Sequence, residues 1–451
     1  MSGFLYSFVG FFLAVSILVT FHELGHFSVA RFFDVKVLRF SIGFGKPIWI
    51  RTFGPDQTEF VVSAIPLGGY VRMLDERAEE VELEDDNRTF NSKTLFARAA
   101  ILVAGPLANF LLAAVLFWLS FIIGVPGFSP VVGHVLPGGL GETLGFKIGD
   151  EIVAVDQRGV QTWNEFDLYF INQSAKMKEI NFELLSTEGA FKFIRVKPSF
   201  LPDGYVRQSF LSDSLGLYPR FPASPAHIGK VVDGSPAQLA GLQIGDIVEA
   251  VDGMPIRTWS SLVESVSERP GQILNIQLLR DEEEVTIQVV PELTETNYGP
   301  VGRIGVMRDL RIVPAESVRL DVLQSLKRSL ENTWIVSGLT VRALVEMVRR
   351  KISTERLGGP ITIARVAGQS AKTGFVPYLL FLALISISLG ILNLLPIPML
   401  DGGHLVYLMI EGIRGSPLSP EAIHIGQRLG IVILAMLMLV ALYNDLAGLG
   451  L

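Results

Sequence analysis

Hydrophobic and polar positions along this chain fall into separate blocks instead of alternating throughout. Apolar stretches cover residues 1–33, 99–125, 375–400 and 425–446. Crossing a bilayer takes roughly 20 apolar residues, so each stretch predicts a transmembrane helix. Gln427 and Arg428 sit at the start of the fourth, at the expected interface. In the intervening stretch 34–98, Gly43-Phe44-Gly45, Glu59-Phe60-Val61-Val62-Ser63-Ala64 and Gly68-Gly69-Tyr70-Val71 read as strands of a β-hairpin. In the stretch 313–374, Val318, Leu320, Leu323, Leu326, Leu330, Trp334 and Leu344 recur at helical spacing. Lys327, Arg328, Arg342, Arg349, Arg350 and Lys351 lie between them. That pattern predicts an amphipathic helix on a membrane surface or on a neighbouring domain.

The region between the second and third apolar blocks repeats itself. Shifted by 96 positions, Gly133, Gly138, Gly145, Gly149, Asp150, Ala154, Val155, Asp156, Thr162 and Trp163 meet identical residues. Two copies are too few for a solenoid and read as tandem globular domains, 126–220 and 221–312. The second copy carries Gly234-Ser235-Pro236-Ala237, Ala240-Gly241-Leu242 and Gly245-Asp246-Ile247-Val248, and it resembles a PDZ domain of the bacterial, protease-associated kind. The first resembles a more divergent one, with Gly139-Leu140-Gly141 in place of Ser-Pro-Ala. Domains of this type take extended peptide as an added strand, so a peptide ligand and simple exclusion of bulky substrates both stand as expectations.

The expected architecture is a polytopic α-helical membrane protein of four transmembrane helices, with a membrane-associated β-hairpin and two tandem PDZ-like α+β domains. Composition adds three points. The 451 residues contain no Cys, so neither disulfides nor Cys-bound metal enter. The net charge of −7, with no Lys/Arg stripe, gives no nucleic-acid footprint. No basic residue precedes Arg31, so the first stretch lacks a secretory n-region despite the cleavage-like Ser28-Val29-Ala30. The bias of basic residues fixes the expected orientation: Arg31, Lys36, Arg39, Arg88, Lys93 and Arg98 make 34–98 cytoplasmic. Both termini and the tandem domains then lie outside, and 401–424 forms a cytoplasmic loop.

The chemistry sits in the first block. His22-Glu23-Leu24-Gly25-His26 places two imidazoles four residues apart on one helical face, where both reach one metal ion. Neutral imidazoles suit zinc, and Glu23 between them is placed to accept a proton from an activated water. The residues from Gly3 to Phe21 carry no charge, so ionisable groups beside them are costly and mark function. A third ligand is expected for catalytic zinc. Asp401, after the helix-breaking Pro396, Pro398 and Gly402-Gly403, competes for that place with His404 and Glu411.

His22-Glu23-Leu24-Gly25-His26, together with Asn393-x-x-Pro396-x-Pro398-x-Leu400-Asp401-Gly402 and the intervening PDZ pair, resembles the site-2 protease family of intramembrane zinc metalloproteases. Gly105-Pro106-x-x-Asn109 fits the same pattern, although a plain helix kink accounts for it nearly as well. The resemblance implies that Zn2+ is the cofactor and Asp401 its third ligand, and that Glu23 is the catalytic base. By the same resemblance Asn393 engages the substrate backbone, and the hairpin residues Gly43, Phe44, Gly45, Gly68, Gly69 and Tyr70 offer an edge to an unwound substrate. It further implies residence in a bacterial inner membrane and single-spanning substrates: an already trimmed anti-sigma factor and remnant signal peptides. Two rivals remain from the residues alone. A membrane scaffold with PDZ domains has no need of Glu23, and a metal transporter is expected to show paired half-repeats that these segments lack.

Overall fold

Long uninterrupted apolar runs can satisfy their backbone inside lipid only as helices, and the computed structural model folds them so. It describes residues 2–76, 81–136, 138–174, 176, 178–197, 215–220, 225–296, 299–309, 316–349 and 358–447. Arg350 and Lys351 of the amphipathic stretch lie outside these residues. The chain divides into two compact units, one of Met1–Val125 with Arg319–Leu451 and one of Pro126–Val318.

The first unit opens with α1 (Ser2–Phe32), then strands β1 (Val37–Phe53) and β2 (Thr58–Met73), then α2 (Leu95–Ile123). The two strands pair twice. Residues 47–53 of β1 pair with 58–63 of β2, while Phe40 lies beside both Phe60 and Val71, and Ile42 beside both Val62 and Gly69. Residues 69–73 consequently form one edge of the sheet. The bend in β1 falls at Gly43 and Gly45, both at φ +89°, a conformation glycine adopts without strain. Phe44, Ile48, Trp49, Ile50, Phe53 and Ile65 are exposed on this sheet. Thr94 caps α2 by accepting from the Ala97 amide.

The second unit is built twice on one plan. Its first half contains β3 (Val125–Gly127), β4 (Val132–Val135), α3 (Leu140–Thr143), β5 (Glu151–Val155), β6 (Arg158–Gly159), α4 (Trp163–Ser174), β7 (Ile180–Leu185), β8 (Phe191–Val196) and β9 (Leu217–Pro219). Its sheet order is β6-β5-β7-β8, and β4 pairs with β9. The second half contains β10 (Ala226–Val231), α5 (Pro236–Leu239), β11 (Ile247–Val251), β12 (Met254–Pro255), α6 (Trp259–Ser267), β13 (Leu274–Arg280), β14 (Glu283–Val289), β15 (Glu292–Thr296), β16 (Gly299–Arg303), β17 (Val306–Arg308) and β18 (Glu316–Val318). Its order is β14-β13-β11-β10-β17. The sequence repeat has a hydrogen-bonding reason. Asp150 accepts from the Lys147 amide at 2.9 Å and Asp246 from Gln243 at 2.8 Å. Glu142 accepts from Gly138 and Gln238 from Gly234 in the same way, each pair 96 residues apart. His134 and His227 lie in β4 and β10 of this unit.

The first unit resumes with α7 (Val322–Val348), α8 (Pro360–Thr373), α9 (Phe375–Asn393), α10 (Asp401–Arg414) and α11 (Pro420–Ala447). The amphipathic stretch is thus two helices. In α7 the buried side is Ser325, Ser329, Asn332 and Ile335, while Leu323, Leu330 and Trp334 face outward. Small hydroxyls that bond their own backbone, as Ser329 does to Leu326 at 2.8 Å, permit close packing without an apolar seam. Three boundaries correct the sequence reading. The third apolar helix ends at Asn393, before the prolines. Residues 401–414 are helical and not a loop, and α11 begins at Pro420, placing Gln427 and Arg428 inside it. Four helices among the described residues are long and apolar enough to cross a membrane: Leu5–Phe32, Leu95–Ile123, Phe375–Asn393 and Pro420–Ala447. The core of this unit gathers Ala14, Leu18, Leu112, Phe117, Leu382 and Ile387 from α1, α2 and α9.

Candidate metal centre and active site

The i,i+4 spacing on α1 brings the His22 and His26 rings to a centroid separation of 4.8 Å. After Asn393 the chain leaves the helix through Pro396 and Pro398 and passes Met399 at φ +92°, a strained conformation for a side-chain-bearing residue. It then enters α10 at Asp401. Gly402 allows this tight entry, since a β-carbon there would lie 2.3 Å from the Leu394 carbonyl oxygen. Asp401 Oδ2 consequently stands 3.2 Å from His22 Nε2 and 3.5 Å from His26 Nε2, with the two Nε2 atoms 3.2 Å apart.

These three distances test whether the residues fit zinc. Donors about 2.0–2.2 Å from one tetrahedral ion stand roughly 3.3–3.5 Å from each other, close to the triangle observed. Both imidazoles are buried, and Asp401 Oδ2 is buried with no hydrogen-bond partner among the described residues. His26 Nδ1 lies 2.8 Å from the Ile101 carbonyl oxygen and so donates to it, which leaves the Nε2 lone pair facing the other two donors. Three lone pairs converging in a dry space repel one another unless a cation lies between them. Two imidazoles and a carboxylate are also a donor set that zinc favours. The site fits the ion.

Of the other candidates, His404 and Glu411 do not join the cluster. Glu411 instead forms an ion pair with Arg98 of α2, and His404 packs edge-on against Tyr407. Asn393 does approach, its Nδ2 lying 3.4 Å from His22 Nε2. The Val71 backbone amide faces the Glu23 carboxylate, which sets Glu23 against the sheet edge. At Gly69 the approach is so close that a β-carbon would lie 3.2 Å from Glu23 Cγ and 2.7 Å from the Ser41 carbonyl oxygen. Tyr70 stacks on Phe44 at 6.2 Å, and the Phe44 ring covers Gly68. The hairpin residues Gly43, Phe44, Gly45, Gly68, Gly69 and Tyr70 therefore make one patch, with its Gly69 corner against Glu23. Sequence reasoning missed Val71 and Ile101. Both act through backbone atoms and leave no signature in residue type.

The sequence profile of peptidase family M50 matches residues 10–437. The chain belongs to peptidase family M50. This is the site-2 protease family, and the chain is a zinc-dependent metalloprotease. It is 39% identical over 457 residues to the regulator of sigma-E protease RseP of Escherichia coli, covering 99% of each chain. It is 37% identical over 454 residues, again 99% of each, to a putative zinc metalloprotease of Vibrio cholerae. Among solved structures, a PDZ domain of an SdrC-like protein from Listeria monocytogenes matches 19% of this chain and 90% of its own, at 16% identity and a TM-score of 0.17. Membership of this peptidase family makes the chain an enzyme, which sets aside the scaffold and transporter readings.

Proposed function

We propose that His22, His26 and Asp401 hold the zinc ion and that Glu23 is the general base of peptide hydrolysis within a membrane-spanning substrate. The observation that carries this reading is the triangle of Nε2, Nε2 and Oδ2 atoms at 3.2–3.5 Å, built beside 19 uncharged residues of α1. When bound, zinc supplies a Lewis acid that polarises a carbonyl and acidifies water. The Glu23 carboxylate takes a proton from the attacking water as its oxygen bonds to the scissile carbonyl carbon. It returns that proton to the nitrogen as the C–N bond breaks.

A transmembrane substrate presents helical peptide bonds shielded by their own hydrogen bonds, so it must unwind before attack. The sheet edge at 69–73, directly beside Glu23, supplies backbone partners for the unwound strand, and the Asn393 amide stands at the other side of the cluster. The four apolar helices cross the membrane four times. The basic residues of 34–98 hold that stretch on the cytoplasmic side, and the repeated unit lies outside as two PDZ-like domains that admit shortened substrate ends. The relative from E. coli is named for regulating sigma-E, and on that likeness the substrates here are a trimmed anti-sigma factor and remnant signal peptides in a bacterial inner membrane.

The test uses purified zinc-loaded protein and a single-spanning substrate without its external domain, with products mapped by mass spectrometry. A cut within the membrane segment, abolished by Glu23→Gln and by chelation, is expected. Cleavage by Glu23→Gln at the wild-type rate would remove the assigned base.

A further inference from the structure

Asn109, beside the cluster, is 0% exposed. Its Nδ2 lies 3.1 Å from His22 Nδ1, while its Oδ1 is buried with no partner among the described residues. These two facts resolve together. If His22 Nε2 faces the metal with its lone pair, Nδ1 carries the proton and needs an acceptor. Asn109 has an unused one, and a half-turn of its amide brings Oδ1 to the Nδ1–H. The same turn gives the buried Oδ1 a donor and places Nδ2 where Oδ1 stood.

We propose that Asn109 is the positioning residue of His22, accepting from Nδ1–H and thereby fixing the tautomer and direction of Nε2; this rests on the ligand reading above. The geometry explains why α2 carries this side chain here. Ile101, Gly105 and Asn109 are four residues apart and share one face of α2. His26 meets the Ile101 carbonyl, His22 meets the Asn109 side chain, and the bare Gly105 between them admits both rings. Ser386 Oγ donates to the Asn109 backbone carbonyl at 2.8 Å, which steadies that turn of α2 without using the amide. The Gly105-Pro106-x-x-Asn109 motif thus has a use beyond a helix kink.

The experiment measures zinc affinity of the purified full-length protein by competition with a chromophoric chelator, and the visible spectrum of its cobalt(II) form. Asn109→Leu keeps the volume and loses the acceptor; it is expected to weaken zinc binding about 10–100-fold and to change the cobalt spectrum. Asn109→Asp, which keeps an oxygen at the same reach, is expected to bind at least as tightly as wild type. Ser386→Ala is expected to stay within about twofold, because it removes only the backbone support. Asn109→Leu binding like wild type with an unchanged cobalt spectrum would overturn the inference. So would equal weakening in the Leu and Asp variants, or in Ser386→Ala. Unchanged affinity in His22→Ala would instead overturn the ligand reading, so the two failures are distinct.

Discussion

Gly105 stands against His26: a β-carbon built on the glycine would lie 2.2 Å from His26 Nε2 and 2.8 Å from His22 Cε1. No real contact is so short, so Gly105→Ala must displace both rings or push α2 away from α1. The second escape would open the close packing at Gly25, whose own β-carbon position is 2.3 Å from the Ala104 carbonyl oxygen. Gly105→Ala is therefore expected to lower bound zinc per protein and to cut proteolysis by about 100-fold, the usual cost of an ångström-scale misplacement at a catalytic centre. Gly338→Ala in α7, where nothing lies within 4 Å, is the control and is expected to retain full activity. Zinc content by atomic absorption, beside the cleavage assay, decides it.

The ion pair between Arg98 and Glu411 gives a prediction about stability. Both side chains are largely buried, at 7% and 17% exposure, and they join α2 to α10, the helix that Asp401 begins. Removing one partner leaves the other charge buried and alone, which costs about 3–5 kcal/mol. Arg98→Leu and Glu411→Leu are each expected to lower the unfolding temperature in detergent. The double variant is expected to recover most of the loss, because no lone charge remains. Additive losses in the double variant would show that the two residues act separately.

How much of this was legible in the sequence depends on the distance over which each residue finds its partner. His22 and His26 are four apart on one helix, so spacing alone joins them. Asp401 lies 375 residues beyond His26 and competes with two rivals on residue type. The family resemblance singles it out, but from the residues themselves it takes the fold of the 394–400 turn to separate it from His404 and the Arg98 ion pair to account for Glu411. The start of α10 was hidden because Pro396, Pro398 and the Gly402-Gly403 pair read as helix breakers, whereas the glycines serve the tight entry into a helix. The Ile101 and Val71 contacts use backbone atoms, so their residue types carry no signal. The 96-residue repeat was fully visible because the same Asp and Gly residues make the same local bonds in both copies.

Asp167 of α4 makes the stability of the repeated unit depend on pH. Its Oδ1 is buried with no partner among the described residues, and burial pushes its carboxyl up to about 7. In an unfolded chain the same group ionises near pH ~3.9. Between these values folding takes up a proton, so the contribution of Asp167 is most favourable below about pH 4 and declines until about pH 7. The full swing is at most ~4 kcal/mol. Asp167→Asn is expected to remove this slope and to slow amide exchange in α4 at pH 8 relative to wild type, with little difference at pH 4. Hydrogen exchange of the full-length protein at both values, corrected for intrinsic rates, measures it. A wild-type α4 equally protected at both would refute the assignment.

Asp445 closes the first turn of α8 from a different helix. That turn starts at Gly359, which has no side chain to cap it, and the Asp445 carboxylate of α11 accepts from the Gly359, Ile361 and Thr362 amides at 2.9, 2.8 and 3.3 Å. It also accepts from the Thr362 hydroxyl at 2.6 Å. Negative charge at a helix N-terminus is favourable, and losing a cap costs about 0.5–2 kcal/mol. Gly430 and Asp445 are the buried residues of α11 among those described, so this contact is one of few that hold the helix. Asp445→Ala is expected to expose the amides of residues 359–362 to exchange while leaving the later turns of α8 protected. Asp445→Asn keeps one acceptor oxygen and is expected to fall between the two. If exchange at 359–362 were the same in Asp445→Ala as in wild type, the first turn would owe its order to the packing of α8 on α1, and the carboxylate would be incidental to it.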